Sequence, residues 1–167
     1  MIENTTMYPE NKKELYPLVC SQVETLVGDG TLVISDLANV SAILMDAMPD
    51  LNWVGFYLEK ENILHLGPFQ GKLACTKIAL GKGVCGTAAQ TGQTQLVMDV
   101  HAFPGHIACD SASNSELVIP IHVGGKVVGV LDIDSPSLAR FDEQDQKGLE
   151  QLVHILEEKC AWNQFSL

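Results

Sequence analysis

Two runs of branched apolar residues, separated only by Gly124-Gly125, constrain the fold more than any other feature of this chain. Residues 116–123 hold Leu117, Val118, Ile119, Ile121 and Val123, and residues 126–133 are denser still. The two glycines accept the left-handed backbone of a primed two-residue turn, so the runs predict an antiparallel hairpin. The second run is dense in branched residues, which places it centrally in the sheet.

The flanking segments supply helices. Residues 11–27 carry Leu15, Leu18, Val19, Gln22, Val23 and Leu26 near a 3.6-residue period, with Gly28 as a stop. Residues 32–48 repeat the pattern with Val33, Leu37, Val40, Leu44 and Met48 before Pro49. Residues 53–58 read as a strand, 59–62 as a turn and 63–66 as the returning strand. A weak strand is expected over 73–78, a small-residue helix over 84–90 and a short strand over 96–100, followed by a polar loop over 101–114. Asp142, with Asp145 three residues on, predicts an imperfect capping box for a last helix that buries Leu149, Leu152, Val153 and Leu156. The order implies one α+β domain over 1–167, core about 14–160, with helices packed on a mostly antiparallel sheet.

At 167 residues the chain buries enough surface to stand without disulfide or metal staples. Its 10 basic and 21 acidic residues leave a formal charge of -11, and Arg140 is the only arginine. Nucleic acid and anionic membrane are therefore poor partners. No apolar stretch is long enough to span a bilayer, and residues 1–8 lack the pattern of a signal peptide, so the cytoplasm is the default expectation. Five cysteines then read as free thiols. No Cys-x-x-Cys, GxSxG, HExxH, P-loop or GxGxxG occurs, which leaves a structural zinc, a serine hydrolase, a zincin and a P-loop enzyme unsupported.

Several residues are candidates for chemistry. Cys109 lies in a polar loop punctuated by Pro104 and Gly105, a setting for a reactive thiol; a buried inert thiol would read the same way. His101 and His106 near it either lower its pKa or solvate the loop. Cys75 and Cys85 flank Gly81-Lys82-Gly83 and suit a transient redox couple, or else two unrelated core thiols. Asp132 and Asp134 lie two apart at the end of the second apolar strand, so their carboxylates share a face; a solvated strand end is the alternative. Counting outward from Gly124-Gly125 brings Glu116 near Asp132 to Asp134, with the register uncertain by two. Trp53 and Tyr57 lie on one face of a strand with Gly55 between them, forming either an open slot or core.

These segments resemble one family closely. Trp53-Val54-Gly55-Phe56-Tyr57, Gly67-Pro68-Phe69-Gln70-Gly71-Lys72 with Cys75, and Gly81-Lys82-Gly83-Val84-Cys85-Gly86 match the free methionine-(R)-sulfoxide reductases, an enzyme branch of the GAF domain family. Gly105-His106-Ile107-Ala108-Cys109-Asp110, Ser113-Asn114-Ser115-Glu116 and Gly129-Val130-Leu131-Asp132-Ile133-Asp134-Ser135 match as well. The resemblance implies a six-stranded antiparallel sheet with flanking helices. It implies reduction of free L-methionine (R)-S-oxide with Cys109 as nucleophile and Cys75 as the main resolving cysteine. Cys85 is the third family cysteine and an alternative resolver. Trp53, Tyr57, Ile107 and Ala108 would line the substrate pocket, and Glu116, Asp132 and Asp134 would hold its polar end. No bound cofactor is implied; thioredoxin is the expected external reductant, and the expected assembly is a cytoplasmic homodimer.

Thiol attack on sulfoxide sulfur builds negative charge on oxygen, and a protonated carboxyl in a crowded acidic cluster can neutralise it there. The remaining carboxylates can pair with the substrate ammonium, and backbone N–H groups of the 105–115 loop are the expected donors to its carboxylate. Two rivals share many of these residues. One is a sensory GAF module that binds a metabolite without turnover, and the other is a thiol peroxide sensor.

Overall fold

The computed structural model describes residues 7–28, 30–105 and 111–164. Helices α1 (Lys12–Leu26) and α2 (Val33–Ala47) precede a hairpin of β1 (Trp53–Lys60) and β2 (Ile63–Gly71). Next come β3 (Lys77–Ala79), α3 (Gly83–Thr91) and β4 (Gln95–Val97). The chain ends with β5 (Ser115–Val123), β6 (Lys126–Ser135) and α4 (Glu143–Lys159). The six strands form one antiparallel sheet in the order β3-β2-β1-β6-β5-β4, so the densest apolar run is central, as its composition requires.

The sheet has two different faces. One packs Val54, Phe56, Leu117, Ile119, Leu131 and Ile133 against the long helices. The other carries Trp53, Tyr57, Val118 and Val130 beneath the short helix α3, with Val84, Cys85 and Ala88 between them. Alternation along each strand divides these sets, since neighbouring side chains point to opposite sides. On the first face Asp142 and Asp145 complete a reciprocal capping box for α4. Asp145 is buried and satisfied further by Tyr16 at 2.6 Å and Lys12 at 2.6 Å.

Several elements differ from the reading of the sequence. Leu18 is 38% exposed, and α1 buries Leu15, Tyr16, Val19, Cys20 and Val23 instead. The β1–β2 turn is tighter than 59–62: Lys60 pairs with Ile63, and Glu61 and Asn62 form the turn with φ of 55° and 64°. The returning strand runs on to Gly71, through a glycine- and proline-bearing stretch whose bulge opposite Phe56 accommodates the irregularity. The expected strand over 73–78 shrinks to Lys77–Ala79, because the segment ahead of it leaves the sheet and Leu73 is 90% exposed. The strand expected over 96–100 ends at Val97; Asp99 accepts from the backbone of His101 and turns Val100–Ala102 into a 3-10 helix.

Candidate active site

The β5–β6 pairing builds the acidic wall. Val123 faces Lys126 and His122 faces Val127, but Ile121 faces Gly129, so Val128 is an extra residue in β6. That single bulge shifts the register by one. Glu116 therefore stands opposite Asp134, and Asp132 opposite Val118. Without the extra residue Glu116 would face Ile133 and point to the helix-covered face. On the other side of β6, Asp132 faces Gly55 and Asp134 faces Trp53. The three carboxyl groups thus share one sheet face with the aromatic pair.

Glu116 and Asp132 are each 6% exposed. Burial pushes Glu116 well above the usual carboxylate range, and Asp132 and Asp134 push it further. Asp132 is pushed up to about 6 by burial, opposed by hydrogen bonds with Cys85 and Glu116. Its Oδ1 is buried with no hydrogen-bond partner among the described residues. Cys85, in the first turn of α3, directs its thiol to Glu116 Oε1 at 3.9 Å. Burial, then Asp132 and Glu116, push that thiol well above its ordinary value.

The Cys85 thiol and carboxylate oxygens of Glu116 and Asp132 lie within 4.8 Å of one another, close enough to share a metal ion. A metal would need the thiolate, and this surrounding stabilises the thiol. The arrangement suits holding protons better than holding a cation through sulfur.

Of the two readings around Gly55, open slot or core, the aromatics take the second, with Trp53 and Tyr57 buried. The backbone and Cβ of Phe69 occupy the space where a Gly55 side chain would be. Phe69 stacks on Trp53 with centroids 5.2 Å apart, and Trp53 on Tyr57 at 5.9 Å. The polar tips of two of these rings hold the segment after β2. Trp53 Nε1 donates to the Lys72 carbonyl and the Tyr57 hydroxyl to the Cys75 carbonyl, each at 3.1 Å. Phe69 and this anchoring were not foreseen; the available signal was Phe69 following Pro68 at the irregular end of a strand.

Cys109, Ile107, Ala108, His106 and Asp110 lie outside the described residues. The loop resumes toward β5 with Ser113, whose Oγ accepts from Asn52 Nδ2 at 3.0 Å. His101 Nε2 meets Asn114 Oδ1 at 3.0 Å. Arg140 is occupied elsewhere, donating to the Pro49 carbonyl and pairing with Asp145 at 3.5 Å.

The model of the GAF domain matches residues 34–157. The chain belongs to the GAF domain family. It is 50% identical over 151 residues to the free methionine-R-sulfoxide reductase of Escherichia coli, covering 90% of this chain and 92% of that one. Among solved structures it is similar to the free methionine-R-sulfoxide reductase of Neisseria meningitidis in complex with its substrate. The TM-score is 0.92, with 43% identity over 99% of this chain and 100% of that one. The reduced fRMsr of Staphylococcus aureus gives a TM-score of 0.85 and 50% identity, over 94% of this chain and 99% of that one. In this GAF domain the α3 face of the sheet is where the acidic residues, the ring stack and Cys85 meet.

Proposed function

We propose that this protein reduces free L-methionine (R)-S-oxide to L-methionine through thiol chemistry. The observation that carries the reading is that buried Glu116 and Asp132 share one sheet face with Asp134 beside Trp53, in a chain half identical to a reductase of that substrate. Cys109 is the nucleophile. Its sulfur attacks the sulfoxide sulfur while a protonated carboxyl donates to the oxygen; oxygen passes to Cys109 as a sulfenic acid, and methionine leaves. Glu116 is the acid we assign to this step, because burial and the two neighbouring aspartates keep its proton on. Asp132 and Asp134 offer negative charge to the substrate ammonium, which peptide-bound methionine sulfoxide lacks. Trp53 and Tyr57 flank the thioether, and Ile107 and Ala108 complete the pocket.

Cys75 attacks the sulfenic acid of Cys109, forming a disulfide and releasing water. Support for Cys75 in this part comes from its being disulfide-bonded, whereas Cys85 is a free buried thiol. An external dithiol reduces the disulfide, and the family resemblance names thioredoxin. The same resemblance carries the expectation of a cytoplasmic homodimer.

Thioredoxin-coupled reduction of free R, free S and peptide-bound methionine sulfoxide tests the reading, with wild type and each single Cys→Ser variant. The expected pattern is turnover of the free R form alone, none by Cys109→Ser, and one equivalent of methionine from Cys75→Ser. Binding of methionine without turnover would make the protein a sensory module instead.

A further inference from the structure

We infer that Cys85 is a positioning residue rather than a resolving one: its S–H donates into the Glu116–Asp132 pair and sets where the shared proton sits. The inference rests on the catalytic reading above. Three observations carry it. Cys85 is a free thiol, 4% exposed, with its sulfur 3.9 Å from Glu116 Oε1. Its helix is held rigidly: Gly81 N donates to Gly86 O at 2.8 Å, and Gly86 packs so closely on the Ala79 carbonyl that a side chain there would collide with it. Finally, the described charged and titratable groups facing it are Glu116 from β5, Asp132 and Asp134 from β6 and Tyr57 from β1, with no cation among them.

A resolving cysteine must expose a thiolate to a sulfenic acid. Cys85 has the opposite surroundings, since burial and the facing acids preserve the S–H. A thiol that stays protonated is a permanent donor. Two adjacent carboxyl groups with one proton between them leave two oxygens without a donor, and the S–H supplies one to Glu116 Oε1. It favours the ionised form of the oxygen it faces and so leaves the proton available for transfer.

The test compares wild type, Cys85→Ala and Cys85→Ser in three measurements. In single-turnover methionine formation against pH, loss of the donor should move the alkaline fall in rate upward by about half to one pH unit in Cys85→Ala, with Cys85→Ser restoring it. Mass analysis after one turnover should find the disulfide formed normally in both variants. The infrared S–H and protonated-carboxyl bands, recorded without substrate, should shift together with pH in wild type, and the responding S–H band should vanish in Cys85→Ser. Unmoved bands in wild type, an unshifted pH profile in a folded Cys85→Ala, or failure to form the disulfide would each overturn the inference. Coupled bands in a wild type that reduces no methionine sulfoxide would support the thiol–carboxyl coupling and fault the catalytic reading alone.

Discussion

The hydroxyl of Tyr57 donates to the carbonyl oxygen of Cys75 at 3.1 Å, so the third residue of β1 on one face fixes the backbone of a cysteine 18 residues away. The phenol is buried, and burial pushes its pKa up, so it remains a donor at every working pH. A hydrogen bond of this kind contributes about 0.5–1.5 kcal/mol. Tyr57→Phe should therefore slow the step that involves Cys75 by about 2- to 10-fold, while the first equivalent of methionine forms at close to the wild-type rate. Burst amplitude and steady-state rate, measured with thioredoxin in excess, separate the two effects.

Glu116 tests the acid assignment. Glu116→Gln keeps the shape and the strand pairing with Asp134 but removes the transferable proton. Loss of a positioned general acid costs about 10²- to 10⁴-fold in rate. The single-turnover rate should fall by that much with thermal stability held or raised. A variant within about threefold of wild type would remove Glu116 from the chemistry.

The pH dependence of stability follows from Asp132, whose carboxyl is pushed from 3.8 up to about 6 in the folded protein. A folded-state value above the unfolded one means that the folded protein binds the proton more tightly. That stabilisation is complete below about pH 4 and is lost as pH rises through about 6. Asp132→Asn should accordingly raise the melting temperature near pH 8 and have little effect near pH 4. The difference amounts to about 1–3 kcal/mol, with turnover abolished. Thermal scans of both proteins across that range check the sign; equal differences at both ends would contradict it.

Gly55 tests the ring stack. A methyl group there meets Phe69, which is held opposite it by the β1–β2 pairing, and stands 2.8 Å from the Pro68 carbonyl. Gly55→Ala should destabilise the protein by about 1–3 kcal/mol by overpacking. It should also raise KM, because displacing Phe69 tilts the Trp53 ring stacked on it. Urea unfolding with steady-state kinetics measures both.

Much of the scaffold is legible in the chain itself. The Gly124-Gly125 turn, the central position of the 126–133 run, the α2 stripe and the cap at Asp142 each follow from local periodicity or turn chemistry. These signals are local, so they survive without knowledge of the fold. Errors gathered where a neighbour decides: Leu18 against Tyr16, the early end of β4, and the segment before β3 that Trp53 and Tyr57 draw off the sheet.

What the residues alone determined is that Glu116, Asp132 and Asp134 flank a hairpin of two apolar strands. Whether Glu116 joins the other two depended on Val128, which no turn rule announces. A side-chain period of two makes a one-residue slip equivalent to turning the strand over, and only pairing of the whole sheet chooses between the outcomes. The burial that raises Glu116 and Asp132 arises in the same way. It belongs to α3 closing over them, and no spacing of carboxylates along a strand can encode that.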